Sequence, residues 1–356
     1  MIAEKKLLLV TFPVDLGNST YEKRLISLFE NYLDLKVYQF IPDQVEKGVP
    51  TTKLAYASVI AKRFLGSYDL CREVLRAYKE DRKILFHGIS PALFAYPVTW
   101  KQSSYIVTDW TKKLYEPFLK ASLSPVWLTA IHKEVMNSQK YVFGLTDAVI
   151  DEIHKDYKIP RSKLKKARLP FCPDLELFVP SPERHDNEIR LLFVWGDFHR
   201  KGGDVLLRWF KQLHDPNIKL TIVTKQSVES QPNLTVETTV DYGQVAHINL
   251  FGSHDIFVLP TTLEGYPSVI GEAGCAGLAV LTTKNALGAP EIISNGENGY
   301  ICNSQEELIQ QLDLLIQNKP MIESMKRKSR MIMEEKFAKN LVLDDFVSCM
   351  FEDQPS

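Results

Sequence analysis

Short apolar runs that alternate with helical stretches, and do so twice along the chain, constrain this sequence more than any other feature. Lys6 to Phe12 is apolar after its lysine, which suits a strand buried on both faces of a parallel sheet. A turn-rich loop, Pro13 to Thr20, follows it. A helix from about Ser19 then carries Leu25, Leu28, Phe29 and Tyr32 on one side, and a second strand runs from Leu35 to Ile41. This β-α-β opening excludes an antiparallel meander and demands helices on both sheet faces. The alternation continues through a helical stretch (Thr52 to Glu80), a strand (Lys83 to His87), a helix (Pro91 to Trp100) and a strand (Ser104 to Thr108). Thr111 to Asn137, broken at Ser124-Pro125, and short strands at Tyr141 to Leu145 and Ala167 to Leu169 complete the first series.

Phe178 to Asn187 is polar, holds two prolines and has no periodicity, so it reads as a boundary. A second alternation starts at once: strand Ile189 to Trp195, helix Gly202 to Leu213, strand Lys219 to Thr224, and mostly helix from Val240 to Ser253. Ile256 to Leu259, Ala279 to Thr282 and Tyr300 to Cys302 read as strands, Pro290 to Ser294 as a short helix, and helices from Gln305, Pro320 and Lys339 end the chain. The 356 residues are enough for two domains of ordinary size.

Charge is unevenly shared. Residues 1–175 carry 27 Lys+Arg against 19 Asp+Glu, and the remainder 16 against 25, so the halves have opposite sign although the net charge is -1. A basic half suits an anionic partner such as a phosphate-bearing acceptor or a membrane surface, while the balanced total disfavours a dedicated nucleic-acid binder. Within that half, the cluster Arg161 to Arg168 reads as lipid-facing or as a solvated turn, and Leu114 to Ile131 as core or as an interfacial helix. No apolar run approaches the ~18 to 20 residues of a membrane span, and the N-terminus does not read as a signal peptide, so a cytoplasmic location is expected. Five scattered cysteines without a C-x-x-C pair read as reduced core residues.

Two segments carry the chemistry. In the first, Leu259 to Gly277, an apolar strand breaks at Pro260, passes a polar loop and re-enters order as a helix at Pro267-Ser268. Glu264 lies in the loop and Glu272 about one turn into the helix. Between them is a helix N-terminus, whose unpaired N–H groups favour phosphate. Pro267 has no N–H, so donors there come from Tyr266, Ser268 or Val269. In the second, a strand ends at Gly196 and Arg200-Lys201 precede Gly202-Gly203, a pattern that reads as a diphosphate clamp or as a surface turn. His87 and Asp109 end strands of the first half, at carboxyl edges where open α/β sheets place ligands; His87 reads equally as a core histidine and Asp109 as the N-cap of a helix at Thr111. No G-x-G-x-x-G follows any strand, which disfavours a nicotinamide-dependent dehydrogenase.

Taken in order, Phe193-Val194-x-Gly196, Arg200 to Gly203, Asp255 to Thr261, Glu264-Gly-Tyr-Pro267, Glu272 to Gly277 and Gly288-x-Pro-Glu291 resemble the C-terminal domain of retaining nucleotide-sugar glycosyltransferases of family four. The resemblance covers about residues 190–302. It implies the GT-B fold: two Rossmann-like domains facing across a cleft, with an acceptor-binding domain (1–178), a donor-binding domain (188–335) and a final helix (336–356) crossing back to the first. The implied reaction transfers a sugar, glucose or a related hexose, from a nucleoside diphosphate donor. UDP is the foremost donor nucleotide and the acceptor a glycan or lipid-linked saccharide, as in polysaccharide synthesis. A sugar-nucleotide-binding protein without transfer is the alternative. The same resemblance assigns Glu272 to the ribose, Glu264 to the transferred sugar, Arg200 and Lys201 to the leaving diphosphate, Gly17 and Gly196 to the donor side and Asp109 to the acceptor. No metal or cofactor is expected, and no Asp-x-Asp occurs. Asp197 stands where many members of that family carry an arginine.

Overall fold

The computed structural model describes residues 5–12, 16–41, 66–109, 111, 126–168, 172–180, 186–194, 197–229, 231–240 and 244–352, with 58, 61 and 64 besides. The chain divides into two units, Met1–Pro170 with Lys339–Ser356, and Phe171–Ala338. Each is built on a six-stranded sheet in which every pairing is parallel, so the chain carries two Rossmann-like α/β units.

The first sheet has the order β2-β1-β3-β4-β5-β6. Its strands are β1 (Lys6–Thr11), β2 (Asp34–Gln39), β3 (Lys83–His87), β4 (Tyr105–Thr108), β5 (Tyr141–Gly144) and β6 (Leu164–Lys166). Helices α1 (Leu16–Phe29), α2 (Tyr68–Lys79), α3 (Ile89–Thr99), α4 (Val126–Ser138) and α5 (Asp147–Tyr157) connect them. Because side chains alternate along a strand, Leu8, Val10, Ile84, Phe86, Ile106 and Val142 fill one face, where they meet Leu70, Val74, Phe94 and Ile153. Tyr105 and Phe143 occupy the other face and meet the last helix of the chain.

The second sheet has the order β12-β11-β10-β7-β8-β9. It comprises β7 (Ile189–Val194), β8 (Ile218–Val223), β9 (Leu234–Glu237), β10 (Ile256–Leu259), β11 (Ala279–Thr283) and β12 (Gly299–Cys302). Its helices are α6 (Cys172–Leu177), α7 (Gly203–Gln212), α8 (Val245–Gly252), α9 (Ser268–Cys275), α10 (Gln305–Leu315) and α11 (Lys319–Phe337).

The chain ends in α12 (Lys339–Phe351), which returns to the first unit. Phe346 seats its ring between Phe29 (5.4 Å) and Phe143 (5.1 Å), and the Tyr105 hydroxyl donates to Met350 O at 3.2 Å. Burying one such ring contributes about 2 kcal/mol. Arg168 fixes the helix further, donating from its backbone N (2.9 Å) and Nε (2.7 Å) to Asp345 and from Nη2 to Leu341 O (2.9 Å).

Several boundaries differ from the sequence expectation. Helix α1 begins at Leu16, so Gly17 lies in its first turn rather than in a loop. The sixth strand is Leu164–Lys166, just before the Ala167 to Leu169 expected, and α8 occupies only the second half of Val240 to Ser253. The 3₁₀ turn Ala289–Glu291 stands in place of the short helix. Within Arg161 to Arg168, Arg161 pairs with Asp151, Lys166 with Asp147 and Arg168 with Asp345. Most of Thr52 to Ser67 and of Leu114 to Ile131 lies outside the described residues.

Removing the Asp345 carboxylate strands the Arg168 guanidinium beside α12. Asp345→Ala should therefore lower the unfolding free energy of the first unit by about 2 kcal/mol, the scale of a hydrogen bond to a charged group, as read by urea denaturation.

Candidate donor site at the switch point of the second sheet

In a parallel sheet, connections leaving a strand toward opposite sides open a crevice at the carboxyl edge, where ligands bind. The second sheet reverses direction between β7 and β10, which are neighbours with Leu191 opposite Ile256. The chain leaving β7 runs to Arg200-Lys201 and the chain leaving β10 runs to Glu264. Topology thus brings together two segments more than sixty residues apart.

Hydrogen bonds fasten the two loops. Arg200 O accepts from Thr262 N at 2.8 Å and from Thr262 Oγ1 at 3.0 Å, while Arg200 Nη1 donates to Leu263 O. Gly202 has φ 81°, and a Cβ there would stand 2.2 Å from Pro260 O. Only glycine satisfies both demands. A Cβ on Gly203 would strike the Phe198 ring at 2.3 Å. The glycine pair therefore serves the approach of the chain to itself as well as any approach to a ligand.

The ion cluster follows from this frame. Glu264 Oε2 accepts from Arg200 Nη1 at 3.0 Å and lies 3.3 Å from Lys201 Nζ. Glu264 and Lys201 keep only 20% and 15% of their side-chain surface, so water screens the charges incompletely. The Glu264 backbone is held from the other side, its N donating to Asn285 O (2.9 Å) and its O accepting from Leu287 N (2.9 Å). Asp197 earns its place here: it accepts from Arg200 N at 3.2 Å, and its Oδ2 lies 3.6 Å from Arg200 Nε. It orients the arginine that a cation at that position would repel.

Pro267 precedes α9 and supplies no side-chain cap, so the N–H groups of Ser268 and Val269 have no acceptor within the helix. Tyr266 is buried against Gly288. Glu272 is also buried, with its Oε2 3.6 Å from Nε2 of His247 on α8, a neighbour the sequence reading did not single out. Gly196 lies outside the described residues. The structure thus joins Glu264, Arg200 and Lys201 in one cluster and gives Glu272 a different environment, beside a histidine. Among the described residues no group of three His, Cys, Asp or Glu is placed to hold a metal ion.

The first unit has its own polar edge, also at a switch point, between β1 and β3. His87 ends β3, half-buried Asp109 follows β4, and Gly17 sits in the first turn of α1. Glu22, buried and missed by sequence reasoning because it sits in an ordinary helical pattern, accepts from Thr11 Oγ1 (2.9 Å) and Gln39 Nε2 (2.6 Å) at the ends of β1 and β2. His87 is 6% exposed, stands edge-on to Tyr21 at 4.4 Å, and has no partner for Nδ1 among the described residues. Burial pushes its pKa down to about 4, so its ring is neutral at pH 7.

Two parallel, doubly wound sheets with the chain's last helix on the first define the GT-B class. The chain is similar in fold to Anabaena HepE in complex with UDP (TM-score 0.72, 15% identity, 95% of this chain and 97% of that one). It is likewise similar to a glycosyltransferase from Rickettsia africae (TM-score 0.69, 14% identity, 99% and 100%). Residues 176–331, which contain the whole ion cluster, match the family model for glycosyl transferases group 1. An uncharacterized glycosyltransferase of Haemophilus influenzae is 31% identical over 159 residues, 41% of this chain and 44% of that protein. The capsular polysaccharide biosynthesis glycosyltransferase CapM of Staphylococcus aureus is 26% identical over 160 residues, 42% of each. The chain thus aligns with less than half the length of these curated relatives.

The depressed pKa of His87 makes a pH prediction. An unfolded imidazole takes a proton below about 6.5 and the folded one only below about 4, so stability falls as pH drops through that interval, by about 3 kcal/mol in all. Melting temperatures at pH 7 and pH 5 should converge in His87→Phe relative to the unsubstituted chain.

Proposed function

We propose that the chain is a retaining glycosyltransferase that moves a sugar, glucose or a related hexose, from a nucleoside diphosphate donor to a hydroxyl of a glycan or lipid-linked saccharide. UDP is the proposed nucleotide. The observation that carries this reading is the Glu264 carboxylate shared by Arg200 and Lys201 at the switch point of the second sheet, inside the family-matched segment. The UDP complexes of HepE support the choice of nucleotide.

The chemistry follows from charge. As the bond from the anomeric carbon to the diphosphate breaks, negative charge grows on the leaving oxygens, and Arg200 and Lys201 stabilise it most at that moment. Positive charge grows on the sugar ring, where Glu264 accepts from sugar hydroxyls and favours an oxocarbenium-like state. The leaving phosphate takes the acceptor's proton on the face it departs from, which retains the anomeric configuration. Glu272 accepts from the ribose hydroxyls, and the Ser268 and Val269 N–H groups face phosphate. Asp109 and His87 serve the acceptor, His87 as a neutral ring. The basic excess of residues 1–175 supports an anionic acceptor or a peripheral contact with anionic lipid at the inner face of the membrane. Among the described residues no helix is long and apolar enough to cross a membrane.

Thermal-shift measurements with UDP, GDP, ADP and NAD test the reading first: stabilisation by UDP supports it, and stabilisation by NAD alone sinks it. Lys201→Ala should slow transfer by about 10² to 10³, the scale of one preorganised electrostatic contact, and unaltered turnover would contradict the clamp. Calorimetry and kinetics together separate the two glutamates. Glu272→Ala should mainly weaken nucleotide binding, whereas Glu264→Ala should mainly lower turnover.

A further inference from the structure

His247 is a buried imidazole that the reaction just described does not use. It sits in the first turn of α8, 2% exposed, with Nε2 3.6 Å from Glu272 Oε2, and both side chains keep 3% of their surface. The ring is gripped edge-on by Phe178 (5.8 Å between centroids, 82° between planes) and by Phe251 (5.3 Å, 69°). Those two phenylalanines meet each other at 5.2 Å and 90°. An imidazole enclosed in this way has little freedom to swing its Nε2 edge away from the carboxylate.

A carboxylate removed from water is costly unless donors or a countercharge compensate it. It is also free to rotate unless something fixes one of its oxygens. A held ring nitrogen 3.6 Å from Oε2 offsets part of that cost and biases how the carboxylate turns. Metal sites use the same device when a fixed neighbour orients a ligating side chain, and loss of such a neighbour typically weakens binding by 10- to 100-fold. Here the oriented group is a carboxylate and its proposed guest a ribose diol.

We infer that His247 is a positioning residue for the nucleoside: it holds the Glu272 carboxylate in the orientation that receives the ribose hydroxyls, and so sets how well the site distinguishes a ribonucleotide from its 2′-deoxy counterpart. This inference rests on the reading of Glu272 as the ribose acceptor. His247 itself touches no reacting atom, so its loss acts on donor affinity and leaves the bond-breaking step nearly unchanged.

The test compares the affinities of UDP and 2′-deoxy-UDP by calorimetry for the full chain and its variants. The unsubstituted chain should prefer UDP by about tenfold or more, the scale of a hydrogen bond to a charged group. In His247→Phe that preference should fall to about twofold, with KM for the donor raised and kcat within about threefold. His247→Gln, whose amide can still donate toward Glu272, should recover most of the preference. Should His247→Phe not fold, His247→Asn, whose shorter amide falls short of the carboxylate, takes its place with the same expectation. A merely structural role would weaken both nucleotides alike and preserve their ratio, which overturns the inference while leaving the ribose reading intact. Failure of the unsubstituted chain to distinguish the two nucleotides removes the ribose reading and the inference together. Failure to bind UDP at all overturns the proposed donor and this inference with it.

Discussion

The attraction of one carboxylate for two cations is the interaction on which the second unit's site depends. Glu264 can meet Arg200 and Lys201 only because β7 and β10 are adjacent, because Gly202 lets one loop lie on Pro260, and because Asn285 and Leu287 hold the Glu264 backbone from behind. Each support is a backbone feature, so the charges are aimed before any ligand arrives. A fixed backbone of this kind distinguishes the cluster from a surface ion pair of similar length. Asp197 belongs to the same frame, since it turns Arg200 toward Glu264 at the cost of one local negative charge.

The first unit is arranged on a parallel plan, yet its edge is of different chemistry. Glu22, His87 and Thr11 are buried around the ends of β1 and β3, and His87 is neutral. The cations of the first half that sequence reasoning offered to an anionic surface are in part already engaged: Arg168 secures α12, and Arg161 and Lys166 answer carboxylates of α5. Among the described residues, these three cations of the basic half are therefore already paired.

The sheet alternation was legible in sequence because strands buried on both faces must be apolar throughout, as Leu7 to Val10 and Ile256 to Leu259 are. Strand β9 was missed since Leu234–Glu237 lies at the sheet edge with mixed exposure and so lacks that signal. Helix α5 went unassigned although Thr146 caps it, with its side chain accepting from Val149 N. The motif residues Arg200, Lys201 and Glu264 could be named from order and spacing, but their meeting could not, because contact across more than sixty residues depends on which strands pair. His247 was invisible for a related reason. A histidine within a helical apolar pattern looks like core until the partner helix supplies a carboxylate.

Glu264 already satisfies part of the positive charge that a phosphate ligand would seek. A guest must therefore offer these cations more than a single carboxylate does, which sets an electrostatic threshold for entry. Simple monovalent anions gain little by displacing an internal group held on a fixed backbone, whereas a diphosphate brings several charges along one line. On the proposed donor reading, this pair of cations favours guests of higher charge.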